Sequence, residues 1–436
     1  MNKSNAKIAV ISLGCDKNRV DTETILYRLV SGGYNITNDY EEADIILINS
    51  CAFISSAQKE CIDTVFDCNR YRSKNLKKII LTGCMPQRFQ EKLIELLPEV
   101  DCFVGINDYE DICKIIESEI KYILSPHKYC ETNRRILSTP PHYSYLKISE
   151  GCDNFCTYCT IPSIRGKFRS GSIEQLTNEA KFLSDMGVSE LIIVAQDTTR
   201  YGIDIYGEKK LTELLGNILK KCDFVHIRML YCYPELVDDA LINFIASENR
   251  IVKYLDIPLQ HISNSVLKRM GRKSSNENIV ALFEKLNAIG IKVRTTFIVG
   301  FPGESEEDFI QLCEFVKKYK PYHVGIFAYS KEENTPAARM TEQISSKIKK
   351  QRVDILGGLH KQNVAERNSA LVGQTLNIIY EDIDFDKNMF VGRTEYDAPE
   401  IDGLVYFSGN NVEVGNYYNV EITGFDGYDL IGRLVD

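Results

Sequence analysis

The sequence predicts an α/β protein of three domains: an N-terminal parallel sheet, a partly open barrel of six strand–helix units, and a small C-terminal antiparallel β-barrel. Apolar, β-branched runs of strand length alternate with amphipathic helical patterns over the first three quarters of the chain. Short alternating strands with Gly and Asn turns follow. The 436 residues also exceed one ordinary domain. We place the domains at 1–125, 142–369 and 370–436, with a linker at 126–141.

The N-terminal third contains three apolar runs, KIAVISLGC, ADIILINSC and KKIILTGC, which end in Cys15, Cys51 and Cys84. Helical periodicity accompanies them at roughly 21–31, 53–70 and 87–97. Parallel strands end at one edge of a sheet, where open α/β sheets bind ligands. We therefore expect these cysteines, here named the strand-end triad, to share a site of three thiolates. The alternative is three separate core residues, since free cysteine is among the most buried residue types.

The central region predicts a barrel. After a proline-marked linker, strand candidates begin near positions 145, 190, 225, 254, 292 and 323. Helical patterns fill the gaps, at roughly 173–186, 211–221, 234–247, 276–288 and 306–318. Six units are fewer than the eight of a closed barrel, so we expect an open side that admits a large substrate.

The stretch SEGCDNFCTYCTIP follows the first barrel strand and holds Cys152, Cys156 and Cys159, here named the loop triad. Three thiolates leave one coordination position free, whereas structural zinc sites usually have four protein ligands. A zinc knuckle would need a further ligand nearby, and the chain has no Cys or His between Cys159 and Cys222. A ferredoxin-like carrier usually supplies four cysteines per cluster and has no use for a barrel. We therefore favour an iron–sulfur cluster with one open iron.

The composition fits metal binding in a reducing compartment. No apolar run approaches the length of a membrane span, and the run Ile8–Leu13 is too short for a secretory signal, so we expect a cytoplasmic protein. Its 14 cysteines are then poor candidates for disulfides. We interpret the eight outside the two triads as packing residues: Cys61, Cys68, Cys102, Cys113, Cys130, Cys222, Cys232 and Cys313.

Eight further stretches carry a family signal: ISLGCDKNRVDTE, HYSYLKISEGC, IPSIRGKFRS, VAQDTTRYGID, YCYPE, YLDIPLQHIS, TFIVGFPGESEEDF and GRTEYDAPEIDG. Together with the two triads, they resemble the radical S-adenosylmethionine methylthiotransferases over essentially the whole chain. That family ends in a small β-barrel of the TRAM type.

The resemblance implies a cofactor set of two [4Fe-4S] clusters and S-adenosyl-L-methionine. It implies that the loop triad holds the cluster whose free iron binds S-adenosylmethionine. One electron from a donor then splits that molecule to the 5′-deoxyadenosyl radical. The strand-end triad would hold an auxiliary cluster that delivers sulfur. An unactivated C–H bond has no acidic proton for a base to remove, so this chemistry requires a cofactor radical.

The eight stretches are most similar in sequence to those of family members that modify the β-carbon of an aspartate in small-subunit ribosomal protein twelve. The alternatives are the sister activity on an adenosine of transfer RNA, and an iron–sulfur scaffold without turnover. Residues 370–436 hold 13 Asp and Glu against 3 Lys and Arg, a net charge of −10, while the whole chain carries −9. Such a module would repel RNA and attract a basic protein, so direct RNA binding is not expected. The acidic surface could also serve solubility alone.

Four residues are candidate cofactor contacts: Tyr158, Gln196, Gly300 and Gly303. Arg165 and Arg169 could bind a carboxylate or a phosphate or lie in solvent, and His261 could transfer a proton or be structural. No residue is assigned as a catalyst. The chain departs from the usual family pattern at Asp16, where proline is usual, and at Gly171, where a basic residue is usual.

Overall fold

The computed structural model describes residues 6–129 and 134–435. The N-terminal domain contains β1 (Lys7–Ser12), β2 (Asn35–Ile36), β3 (Ile45–Ser50), β4 (Lys78–Gly83), β5 (Cys102–Val104) and β6 (Tyr122–Ile123). They form a parallel sheet in the order β2-β1-β3-β4-β5-β6. The three predicted strands, β1, β3 and β4, are neighbours in this sheet. The other three strands are two or three residues long, too short for a periodicity to reveal.

The helices of this domain are α1 (Asp16–Ser31), α2 (Ser55–Asn69), α3 (Cys84–Phe89), α4 (Lys92–Leu96) and α5 (Ile112–Glu117). The first begins directly after Cys15, earlier than the predicted start at residue 21. The predicted third helix is instead the pair α3 and α4. The chain breaks there because Gln90 adopts φ +55°, a left-handed conformation that a helix does not contain.

The central barrel contains β7 (Tyr143–Lys147), β8 (Ser149–Glu150), β9 (Arg169–Ser170), β10 (Glu190–Val194), β11 (His226–Met229), β12 (Ile251–Asp256), β13 (Lys292–Val299) and β14 (His323–Ala328). Six of them form a parallel sheet in the order β14-β13-β12-β11-β10-β7, so β7 and β14 are its two edges. This confirms the predicted six-stranded, partly open barrel. The strands β8 and β9 form a separate antiparallel pair.

The barrel helices are α6 (Ile161–Arg165), α7 (Ile173–Asp185), α8 (Ile203–Tyr206), α9 (Leu211–Lys221), α10 (Asp239–Ser247), α11 (Asn264–Arg269), α12 (Asn276–Ala288), α13 (Glu306–Tyr319) and α14 (Ser346–Leu371). The periodicity did not predict α14, although it is 26 residues long. Its buried stripe has the expected spacing but is mostly polar, so it lacks an apolar signature: Arg352, Leu356, His360, Val364 and Asn368.

The C-terminal barrel contains β15 (Thr375–Asp384), β16 (Met389–Thr394), β17 (Val405–Ser408), β18 (Tyr417–Asp426) and β19 (Asp429–Leu434). They close in the order β15-β16-β17-β19-β18, which confirms the predicted five-stranded barrel. Within the described residues, no helix combines the length and the apolar character needed to cross a membrane.

Both flanking domains insert a side chain into the interior of the central barrel. Val20 of α1 and Ala398 of the C-terminal barrel pack in one buried cluster with barrel residues such as Tyr145. The C-terminal barrel also contacts the N-terminal domain directly, since Arg19 and Glu400 form an ion pair of 2.8 Å. The domain junctions are therefore packed, and the carboxyl ends of β1, β3 and β4 meet the central barrel.

Candidate active site

The loop triad lies directly after β8, where the sequence predicts it: Cys152, Cys156 and Cys159. Gly151 starts the loop with φ +78°, and a Cβ there would stand 2.2 Å from the carbonyl oxygen of Lys167, so this position requires glycine. The Thr157 N–H donates to the carbonyl of Met270 at 2.9 Å. The loop is thus held from two sides, which fixes three thiols within eight residues of chain.

The electrostatics of the loop triad disfavour three free thiolates. Burial raises the pKa of Cys152 to about 11, and burial together with Cys156 raises the pKa of Cys159. The Cys156 thiol lies 3.0 Å from the hydroxyl of Tyr233, whose ring is stacked under the guanidinium of Arg272 at 3.7 Å. A bound metal removes the thiol protons outright and neutralises the thiolates. This donor set therefore fits an iron–sulfur cluster.

The strand-end triad is assembled at neighbouring strands, as predicted. Cys15 caps α1 after β1, Cys51 follows β3, and Cys84 is the first residue of α3 after β4. A Cβ on Gly14 would stand 2.6 Å from the Cβ of Cys51, so only glycine lets these two loops approach so closely. Burial, with contributions from Cys84 and Cys15, raises the pKa of Cys51 to about 12. The structure thus brings the three cysteines together, with Cys84 buried and Cys15 and Cys51 half-buried.

Three cysteines can hold a single metal ion or a larger cluster. Among the described residues, no three His, Cys, Asp or Glu side chains stand close enough to share a single metal ion. A four-iron cluster binds each thiolate through a different iron, so its ligands stand farther apart than those of one ion. The seven described cysteines outside the triads lie in hydrophobic clusters or, for Cys113 and Cys313, pack against them, as the sequence predicts. Cys130 lies outside the described residues.

A buried network of charges joins the two sites. Lys147 bonds Glu150 at 2.8 Å and also contacts Asp21 of α1. Arg165 bonds Glu150 at 2.9 Å and Asp21 at 3.1 Å, and donates to the Sγ of Cys84 at 3.5 Å. The Coulomb attraction of Arg165 lowers the pKa of Cys84, although burial raises that pKa by more. Of the roles left open for Arg165, the solvated one is therefore wrong, because the side chain is fully buried at the domain junction.

A second contact joins the barrel to the first loop of the strand-end triad. The hydroxyl of Tyr231 donates to Asp16 at 3.0 Å, and the ammonium of Lys17 stands 3.3 Å from the centre of the tyrosine ring. Tyr231 holds φ +60°, a conformation that non-glycine residues rarely adopt. Asp16, the departure from the family pattern, thus makes a specific interdomain contact next to Cys15.

The predicted cofactor contacts have the following surroundings. The ring of Tyr158 packs edge-on against Phe301. Gln196 donates to Glu150 at 3.0 Å, while its Oε1 is buried and finds no partner among the described residues. Gly300 and Gly303 have φ of +71° and +77°. These positive φ values already explain glycine at both positions, and a Cβ on Gly300 would also stand 2.3 Å from the Cγ of Lys349. Contact of these four residues with the cofactor stays a prediction.

Sequence reasoning missed a third interdomain contact. Glu332, in the loop after β14, pairs with Arg88 of α3 at 3.1 Å, and both side chains are buried. Glu333, the residue next to Glu332, is exposed, so no local pattern marks Glu332 as the buried member of the two.

His261, left open between a proton-transfer and a structural role, is fully buried with its Nδ1 accepting from the Ser263 N–H at 3.0 Å.

Family models and relatives agree with this architecture. The model of the radical SAM superfamily matches residues 146–316, that of the uncharacterized protein family UPF0004 matches 7–105, and that of the TRAM domain matches 372–435. The ribosomal protein uS12 methylthiotransferase RimO of Clostridium tetani is 44% identical, over 99% of this chain and 98% of that protein. The RimO of Clostridium botulinum strain Hall is 46% identical, over 98% and 97%.

Solved structures share the fold at low identity. The radical S-adenosylmethionine methyltransferase TsrM of Kitasatospora setae aligns with a TM-score of 0.55 and 12% identity, over 77% of this chain and 74% of that one. The cobalamin-dependent S-adenosylmethionine radical enzyme OxsB aligns with a TM-score of 0.51 and 13% identity, over 81% and 56%. With relatives of about 45% identity along nearly its full length, the chain belongs to the RimO family of radical S-adenosylmethionine methylthiotransferases.

Proposed function

We propose that this chain attaches a methylthio group to the β-carbon of an aspartate in small-subunit ribosomal protein uS12, using two [4Fe-4S] clusters and S-adenosyl-L-methionine. The observation that carries the proposal is the presence of two three-thiol sites on adjoining domains. One lies at the carboxyl end of the barrel and the other at the carboxyl end of the N-terminal sheet, with buried contacts between them. The choice of ribosomal protein follows from the relatives, which are uS12 methylthiotransferases.

The loop triad would hold the cluster that binds S-adenosylmethionine, and the strand-end triad would hold the cluster that supplies sulfur. When bound, these groups supply the one-electron chemistry that an unactivated C–H bond requires. The residues of the chain tune and orient them. Tyr233 places a hydroxyl beside Cys156, and Arg165 donates to Cys84. Hydrogen bonds to ligating sulfur favour the more negative, metal-bound thiolate and adjust the reduction potential.

The pocket for S-adenosylmethionine would lie between the loop triad and the ends of β10 and β13. The buried Oε1 of Gln196, without a partner among the described residues, supports a polar contact there. Tyr158, Gly300 and Gly303 line the same end of the barrel and complete the proposed set. The cluster would be reduced by a separate electron donor. Phe155, between Cys152 and Cys156, is 64% exposed, so the loop is reachable from outside.

The charge of the C-terminal barrel supports a basic protein rather than RNA as the substrate. Four of its acidic side chains already pair with Arg or His side chains of the other two domains: Glu381, Asp397, Glu400 and Asp402. Others remain free to meet a partner. The β15–β16 hairpin carries exposed Asp382 and Asp386 on either side of Phe385, which is 82% exposed. Complementary charge steers a basic protein such as uS12 to this surface in the cytoplasm.

The test is an anaerobic assay of the chain reconstituted with iron and sulfide. It receives S-adenosylmethionine, a chemical reductant, and equal amounts of uS12 and unmodified transfer RNA, and both are then analysed by mass spectrometry. We expect a methylthio group on one aspartate of uS12, and none with the unreconstituted chain as control. A methylthio group on an adenosine would overturn the substrate assignment. 5′-Deoxyadenosine without either product would show a radical enzyme with another substrate.

A further inference from the structure

The loop after β14 contacts both cysteine sites within six residues of chain. At its far end, the N–H of Ala337 donates to the carbonyl of Thr157 at 2.9 Å, between Cys156 and Cys159 of the loop triad. At its near end, Glu332 reaches the N-terminal domain. This short segment therefore links the surroundings of the two proposed clusters.

Glu332 accepts hydrogen bonds from donors on three separate elements. Ser55 donates through its backbone N–H at 2.9 Å and its hydroxyl at 3.1 Å, and Gln58 donates through Nε2 at 3.2 Å. Arg88 donates through both terminal nitrogens, each at 3.1 Å. Ser330, on the same loop, donates at 2.7 Å. The carboxylate is saturated, and its side chain is only 3% exposed.

Two of these donors belong to the first turn of α2. The N-cap residue of this helix, Ile54, has no side chain that can accept from the free N–H groups of that turn. Glu332 supplies the missing acceptor from another domain, and its negative charge suits the positive end of the helix dipole. The start of α2, four residues after Cys51, is thus fixed by the barrel.

Arg88 connects the same contact to the loops that carry Cys84 and Cys51. It lies on α3, whose first residue is Cys84, and it donates to the carbonyls of Ala52 at 2.6 Å and Phe53 at 3.4 Å, directly after Cys51. The loop triad reinforces this contact, because the hydroxyl of Thr160 donates to the same Phe53 carbonyl at 3.3 Å. Breaking the Glu332–Arg88 pair would therefore weaken the attachment of both loops to the barrel at once.

We propose that Glu332 is a positioning residue that sets the auxiliary site against the radical site, so that hydrogen removal and sulfur transfer occur at one substrate carbon. The chemical part of this proposal rests on the proposed function, whereas the contact between Glu332 and the N-terminal domain does not depend on that function. Glu332 touches neither cysteine triad. Its loss should therefore leave both clusters in place and change only their relative placement.

The experiment compares Glu332→Gln with Glu333→Gln, which changes the exposed neighbouring carboxylate in the same way. In the reconstituted enzyme we measure methylthio-uS12 formed per 5′-deoxyadenosine released. We expect this ratio to fall about 10- to 100-fold in E332Q, because a misplacement of about 1 Å caused far from the chemistry can cost about 100-fold, and to stay at the parental value in E333Q. The rate of 5′-deoxyadenosine release should change little.

Two readouts do not depend on product. In the iron-free chain, amide hydrogen exchange in the first turn of α2 should accelerate about tenfold or more in E332Q, because a charge-assisted cap is lost. In the doubly reduced enzyme, the magnetic interaction between the clusters by electron paramagnetic resonance should weaken or broaden in E332Q alone. Glu332→Asp keeps the charge and replaces E332Q should that variant fail to fold.

The outcomes separate this proposal from the proposed function. A purely structural role would lower both products together and leave their ratio unchanged, which would overturn the positioning role. Unchanged hydrogen exchange would overturn the cap. If the parental enzyme makes no methylthio-uS12, the proposed substrate is wrong, while the exchange and magnetic measurements still decide the role of Glu332.

Discussion

The two cysteine sites differ in how the chain builds them. The loop triad occupies eight consecutive residues after one strand, so its thiols come from a single loop, which bonds such as that from Thr157 to Met270 support. The strand-end triad takes one residue from each of three loops spread over 70 residues, and depends on the sheet order and on contacts with the barrel. A substitution far along the chain can therefore disturb the strand-end triad and leave the loop triad unchanged.

The largest expected effect separates the two sites by function. Cys156→Ala should reduce 5′-deoxyadenosine release to the level of the iron-free chain, because the loop triad would then lack one ligand of the proposed cluster. Cys51→Ala should retain that release and lose methylthio-uS12. Cys313→Ala, on α13 and outside both triads, is the control and should retain both products. Liquid chromatography of the nucleoside and mass spectrometry of the protein measure them. Loss of both products in Cys51→Ala would contradict the division of roles.

The next effect concerns stability at the network that both sites share. Arg165→Ala leaves Asp21 and Glu150 buried with one cation, Lys147, between them. We expect a loss of about 3–5 kcal/mol in the free energy of unfolding, measured by urea denaturation of the iron-free chain. The control is Lys167→Ala, two residues along and exposed, which should change it by less than about 0.5 kcal/mol. Equal losses in the two variants would show that the network contributes no net stability.

A smaller effect tests whether Asp16 holds the first loop of the strand-end triad. A hydrogen bond to a partly buried carboxylate contributes about 1–2 kcal/mol, so Tyr231→Phe and Asp16→Asn should each destabilise the chain by roughly that amount. Because both substitutions remove the same hydrogen bond, the double variant should lose little more free energy of unfolding than either single variant. A coupling energy below about 0.5 kcal/mol in this double-mutant cycle would show that the contact is not energetically specific.

The sequence predicted what local patterns encode. The six barrel strands, the five strands of the C-terminal barrel and the loop triad all leave a signature within a few residues. The strand-end triad was also predictable, because parallel strands must end at one edge. In contrast, α14 was missed since its buried stripe includes Arg352, His360 and Asn368. A periodicity of apolar residues cannot detect a helix that buries charges and amides.

The interdomain contacts could not be read from one sequence. Glu332 and Arg88 are 244 positions apart, and Glu332 and Glu333 are chemically identical, so only the fold distinguishes them. The sequence alone also does not show which acidic residues of the C-terminal barrel are available to a partner. Counting all acidic residues of the C-terminal barrel predicts its sign, but the fold uses some of them, such as Asp402, to bind the central barrel. The surface available to a partner is therefore smaller than the count suggests.

The smallest expected effect is a difference between the two cysteine sites in their response to low pH. Hydrogen bonds from Ser330, Ser55 and Arg88 outweigh burial and hold the pKa of Glu332 below its ordinary value of 4.5. A carboxyl with a lowered pKa in the folded state contributes stability that is complete above 4.5 and is lost as the pH falls through the lowered value. The free-energy difference between the parental chain and E332Q should therefore be constant near neutrality. It should shrink below pH 4.5, by at most about 1.4 kcal/mol per pH unit for one proton.

Hydrogen exchange, corrected for its intrinsic pH dependence, locates that loss. Protonation of Glu332 weakens its bonds to Arg88 and to the start of α2, so amides of the first turn of α2 should lose protection as the pH falls. The loop triad is held by backbone bonds, such as that from Thr157 to Met270, and by a carboxylate other than Glu332, since Asp153 accepts from the Phe168 N–H at 3.1 Å. The protection of its amides should therefore change with pH in the same way in the parental chain and in E332Q. A different outcome is that both regions lose protection together and that E333Q behaves like E332Q. Glu332 would then not stabilise the strand-end triad specifically, and the two sites would differ only in how far apart their cysteines lie in the sequence.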